Sequence, residues 1–104
     1  MALNGVYAKS TVTATPSIMS AATALASNTR RIGWRIQNLD TDPLFVRLGS
    51  GCTTSVFDMV LAAGTGADNG TGGSYSEVGG VVYTGIITTA GTTPRYTVSE
   101  YYEV

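Results

Sequence analysis

Apolar and polar residues alternate with a period of two along much of this chain. The clearest instance is Thr29 to Asn38, where Ile32, Trp34 and Ile36 fall on one side and Arg31, Gly33, Arg35 and Gln37 on the other. This spacing predicts a strand whose Trp34 anchors a core. Leu44 to Leu48 continues the apolar face through its even positions, so Leu39-Asp40-Thr41-Asp42-Pro43 reads as a five-residue turn closing a hairpin between the two strands. Ser74 to Val78 and Val81 to Thr88 flank Gly79-Gly80, the signature of a hairpin with a two-residue turn, and Gly85 marks a bulge within it. Arg95 to Tyr102 reads as the last strand, with Tyr96, Val98 and Glu100 on one face and Thr97, Ser99 and Tyr101 on the other.

The remaining stretches are less regular. Ser17 to Ser27 fits helical spacing through Ile18, Ala21, Ala22 and Leu25, and a strand face through Ile18, Ser20, Ala22, Ala24 and Ala26. Thr23, the small flanking residues and the Ser27-Asn28 turn favour the strand. Val56 to Ala62 is a short apolar run, followed by a loop over 63–73 too glycine-rich to pack on itself and expected to be mobile or ordered by a neighbour. Gly5 to Thr15 alternates weakly, is rich in Thr and runs into Pro16, which suits an extended arm or an edge strand. Turn clusters recur every eight to twelve residues or so, as in all-β sandwiches and barrels. The expectation is an all-β chain: an extended N-terminal arm over 1–16, then over 17–104 a single small β-sandwich or jelly-roll-like domain of seven to eight short strands.

Composition narrows the chemistry. Of 104 residues 12% are charged, about half the usual share of roughly 25%, and the formal net charge is -1. Such a chain has little charge to keep copies apart, so association is its natural way to bury more surface. It has no His, which excludes Ser-His-Asp and Cys-His nucleophiles, imidazole general bases and His-containing zinc sites. Its one cysteine, Cys52, can form neither an internal disulfide nor a thiolate cluster, and reads as a small half-buried filler. No catalytic activity, cofactor or metal is therefore expected. The absence of a basic stripe argues against nucleic-acid binding, and no apolar run approaches the roughly 18 residues of a membrane span. Met1 to Lys9 holds no apolar segment of secretory length, so the chain is expected to be made in the cytoplasm and to stay soluble.

Each motif in the chain also has a simpler reading. The glycine loop is not a phosphate loop, because no lysine follows Lys9, and a hairpin rather than a helix is expected after it. Asp68-Asn69-Gly70 lacks the further acidic positions of a calcium loop and reads as a turn; Asn69-Gly70-Thr71 fits the glycosylation sequon without a secretory context. Glu77, Glu100, Glu103 and Asp58 could supply a glycosidase pair, but so short a chain would have to build the cleft as well. Tyr75, Tyr83, Tyr96, Tyr101 and Tyr102 offer sugar platforms or, more simply, strand packing. Arg31 and Arg35 lie four apart on the predicted outer face, with Arg47 on the same face of the hairpin partner. They form either a docking face for acidic loops of another chain or a solvated face balanced by Asp40, Asp42 and Asp58. Val6, Tyr7 and Val12 of the arm are expected to contact a neighbouring subunit, since an extended segment is a ready strand for another sheet's edge.

The runs Leu25-Ala26-Ser27-Asn28-Thr29-Arg30-Arg31, Ile36-Gln37-Asn38, Leu44-Phe45-Val46-Arg47-Leu48-Gly49 and Arg95-Tyr96-Thr97-Val98-Ser99-Glu100 resemble small β-rich virion proteins of tailed bacteriophages, over about residues 17 to 100. The resemblance implies a structural role in the virion. The chain would be a capsid decoration (cement) protein or a head or tail fibre component, a homotrimer bound to the major capsid protein or other virion proteins. The alternative is a carbohydrate- or receptor-binding module of a tail or head fibre.

Overall fold

The computed structural model describes the backbone of residues 10–11 and the chain over 19–103. It contains eight strands: β1 Ser10–Thr11, β2 Thr23–Leu25, β3 Arg31–Asn38, β4 Leu44–Leu48, β5 Met59–Leu61, β6 Ser74–Val78, β7 Ile87–Ala90 and β8 Tyr96–Tyr102. No helix occurs among the described residues. The strands form two four-stranded antiparallel sheets, ordered β1-β8-β3-β6 and β2-β7-β4-β5. This is the strand order of a jelly roll, in which the chain passes repeatedly from one sheet to the other.

Each sheet turns one side inward, and the alternation read from the sequence decides which. Trp34 and Ile36 of β3 meet Tyr96 and Val98 of β8, all at most 2% exposed. From the facing sheet come Ala24, Leu25, Leu44, Val46, Leu61 and Ile87, also buried. Each buried aliphatic side chain contributes roughly 1.5–3 kcal/mol relative to an exposed one, so these ten residues are the main cohesive element. Within the stretch read as a strand over 17–27, Thr23–Leu25 forms β2.

Both predicted hairpins are corrected. β3 pairs with β8 and β6, whereas β4 pairs with β7 and β5, so Leu39 to Pro43 bridges the two sheets instead of turning within one. The apolar faces of β3 and β4 are alike because they oppose each other across the core. β6 and β7 likewise lie in different sheets. Gly79 and Gly80 do take positive φ values, 77° and 63°, as a tight primed turn requires. Long-range partners then capture the chain beyond the turn. Tyr83 N–H donates to Glu77, while Arg31 donates to the carbonyls of Tyr83 and Gly85.

The glycine loop is also corrected, for it is held by its own chain. Gly64 N–H and Asp68 N–H donate to the carbonyls of Asp40 and Leu39, and Arg95 makes two hydrogen bonds to the Asp68 carboxylate at 2.8 and 2.6 Å. Gly72 lies so close to β3 that a Cβ there would stand 2.1 Å from the Asn38 carbonyl oxygen. Glycine supplies the close approach, not flexibility.

Ser10–Thr11 pairs with Tyr102 and Tyr101 of β8 in the same chain. Val6, Tyr7 and Val12 lie outside the described residues.

Candidate functional site

The three arginines expected on one face are not brought together. Between Arg31 and Gly33 the ladder with β8 shifts register, so two steps along β3 match one step from Tyr102 to Tyr101. Ile32 is the extra residue of a bulge, which turns Arg31 to the inner side of the sheet. There Arg31 is 3% exposed: Nε donates to Glu100 at 2.8 Å, Nη1 to the carbonyls of Tyr83 and Gly85, and Nη2 to the Ala26 carbonyl at 2.7 Å. It ties β3 to β8, to the chain after β2 and to the segment before β7. Arg35, beyond the bulge, stays outside and exposed, while Arg47 lies on the other sheet opposite Thr88. The expected docking face is therefore divided between an inner tie, one sheet's outer face and the other's.

The carboxylates are occupied as well. Glu77 and Glu100 stand opposite Trp34 on its two neighbouring strands. Glu100 holds Arg31. Glu77 accepts from Trp34 Nε1 at 2.8 Å, Tyr75 OH at 2.9 Å and Tyr83 N–H at 3.1 Å. Burial pushes the Glu77 carboxyl up, but these donors outweigh it and hold the group below the ordinary carboxylate range. The same bond pushes the Tyr75 phenol up. Burial also raises the Cys52 thiol against the pull of Arg47, so Cys52 is protonated near neutrality, in keeping with a filler. Among the described residues no group of three or more His, Cys, Asp or Glu converges on a metal-sized site.

An apolar surface lies instead on the outer face of the β2-β7-β4-β5 sheet. Phe45 of β4 is opposite Val60 of β5 and Ala90 of β7, giving a row across three strands. The Phe57 ring stacks on Phe45, with centroids 4.9 Å apart and planes tilted by 59°. Phe57, Val60 and Val56 remain 40%, 45% and 44% exposed. The connection that presents them is ordered: Thr53 and Val56 exchange backbone hydrogen bonds, and the Thr53 hydroxyl accepts from Ser55 N–H and Val56 N–H. Asp58 anchors its far end, its N–H on the Val46 carbonyl and its carboxylate on Leu48 N–H. Arg47 and Asp58 put charge beside the apolar row.

Sequence reasoning missed this face although its signal was present. Phe45 occupies an odd, outward position in Leu44 to Leu48, and Phe57 follows Val56 in the short apolar run over 56–62, of which Met59–Leu61 forms a strand. A second surface feature is an open groove of about 440 Å³ lined by Met19, Ser20, Asp40, Thr93, Pro94 and Arg95. Compared with family models, with curated proteins and with solved structures, the chain matches none.

Proposed function

We propose that this chain is a non-enzymatic structural protein of a tailed-phage virion, a capsid decoration protein that binds and stabilises the capsid lattice as an oligomer. The observation that carries the reading is the apolar row Ala90, Phe45, Val60 with Phe57 on the outside of a sheet, in a chain with only 12% charged residues. Contiguous exposed apolar surface of this kind marks a contact with other chains. Jelly rolls also occur in viral capsid domains, which supports the reading by analogy of fold. Such a protein bridges neighbouring shell subunits by buried contacts, and many copies add up through avidity. In this reading Arg35, Arg47 and the arm residues Val6, Tyr7 and Val12 contact adjacent chains, and Arg31 serves the fold alone.

The test is co-sedimentation of the purified chain with phage capsids stripped of their decoration proteins. Retention by the capsids, lost in the Phe57→Ser/Val60→Ser double variant, supports the proposal. Equal retention of both, or none of the parent, overturns it. The groove of Asp40, Thr93 and Arg95 carries a second reading, a sugar-binding module of a fibre, which a glycan panel would reveal as binding removed by Arg95→Ala.

A further inference from the structure

The 63–73 loop contains a side-chain arrangement used by neither the core nor the apolar face. Asn69 and Gly70 are exposed. Asn69 Nδ2 donates to Thr65 Oγ1 at 3.1 Å, the Thr65 and Thr71 hydroxyls lie 3.1 Å apart, and the Thr71 hydroxyl and Thr71 N–H both donate to Asn69 Oδ1. The ring of hydrogen bonds thus starts on the amide nitrogen of Asn69 and returns to its amide oxygen. Gly66 makes room for it, since a Cβ there would stand 2.9 Å from Nδ2. Gly70 N–H donates to no protein group among the described residues. The space where a Gly70 Cβ would sit is open, and its φ is 83°.

We propose that Asn69 is a self-modification site, at which the folded chain converts this asparagine to aspartate and isoaspartate without an enzyme. The three requirements of the reaction meet here. The nucleophile is the Gly70 backbone nitrogen, unengaged and free of a neighbouring side chain. The electrophile is the Asn69 Cγ, polarised by two donors on its oxygen, which also stabilise the negative charge of the tetrahedral intermediate. The Thr65 hydroxyl at the departing nitrogen, linked to Thr71, relays the proton.

In the first step the Gly70 nitrogen gives up its proton and bonds to Cγ. The Cγ–Nδ2 bond then breaks, and the nitrogen leaves as ammonia with the proton supplied. Water next adds to either carbonyl of the succinimide and opens it, leaving a carboxylate. No oxidant or reductant is required. The change takes the formal net charge from -1 to -2. It removes the donor that Thr65 Oγ1 received, and it sets a second carboxylate beside Asp68, whose own is held by Arg95. Of the other asparagines, Asn4 also precedes a glycine, Gly5, and lies outside the described residues, whereas Asn28 and Asn38 lack these features: Thr29 and Leu39 follow them, and Asn38 is wholly buried.

The test follows position 69 by peptide mass mapping, with fragmentation that separates aspartate from isoaspartate. The full chain is incubated folded, and in parallel unfolded in urea, at the same neutral pH and temperature. The expected result is conversion at Asn69 at least as fast in the folded chain as in urea. Thr71→Val should slow the folded reaction roughly tenfold by removing one oxyanion donor, and leave the urea reaction unchanged. Thr71→Ser, which keeps the hydroxyl, should retain the parent rate and thereby separate loss of the donor from loss of the loop. Slower conversion in the folded chain, or a Thr71→Val variant as fast as the parent, would show that the ring locks the amide and would overturn the proposal.

Discussion

At the scale of single residues, the inner face combines a large apolar anchor with polar groups that have no solvent to fall back on. Trp34 is fully buried yet satisfies its indole N–H on Glu77. Trp34→Ala should cost roughly 3–5 kcal/mol by urea denaturation, from lost burial and the cavity left behind. Arg31→Ser removes the partner of a buried carboxylate and should also cost on the order of 3–5 kcal/mol. Arg35→Ser, on the outside, should change stability by less than about 0.5 kcal/mol. Comparing the midpoints of these two arginine variants checks whether the bulge divides them. Glu77 adds a pH dependence. Its folded carboxyl lies below the ordinary value of about 4.3, so its stabilisation is fully present above that value and is lost as pH falls through the lower folded one. Acid titration followed by the fluorescence of the single tryptophan should show this loss, and Glu77→Gln should flatten it. The inward position of Trp34 was legible from alternation alone. That of Arg31 was not, because a one-residue bulge depends on the register of β8, some 70 positions away in the chain.

At the scale of elements, the sequence shows strands and faces well and partners poorly. β8 carries the alternation expected of it, with Tyr96, Val98 and Glu100 on the inner side, and β3 does so from Gly33 onward, whereas the bulge takes Ile32 out of the expected core face. Pairing was misjudged wherever two strands adjacent in sequence had apolar faces of the same sense, because hairpin neighbours and strands opposed across a core leave the same pattern. The 63–73 loop was misjudged for a related reason: its glycines look like freedom until the surface they approach is known. Gly72 touches the backbone of β3, and Gly73 would place a Cβ 2.7 Å from the Ala62 nitrogen. Gly72→Ala should therefore destabilise the domain by at least the roughly 1–3 kcal/mol of an overpacked site. Gly70→Ala meets no neighbour and should cost about 1–2 kcal/mol, through its positive φ alone. Thermal melts of the two variants compare close approach with backbone strain directly.

At the scale of the whole molecule, the sandwich satisfies its interior but leaves one outer face apolar. Among the described residues β5 is the edge of the β2-β7-β4-β5 sheet and only three residues long, so Val60 ends the apolar row at that edge. Within a monomer, Phe57 and Val60 keep about two-fifths of their surface in water, and removing them forfeits little of the core. The Phe57→Ser/Val60→Ser variant should accordingly lose about 1.5–3 kcal/mol of monomer stability, since each half-buried apolar group contributes about half of a full burial. Its effect on association should be much larger. If copies of the chain cover this face in the oligomer, mass action makes the parent's melting temperature rise with protein concentration, because only the folded form associates. The variant's melting temperature should not move with concentration, and its sedimentation coefficient should be that of a 10.8 kDa monomer throughout. A parent that sediments as a monomer, with a melting temperature independent of concentration, would show that copies of the chain do not associate through this face and would overturn the oligomeric part of the proposal.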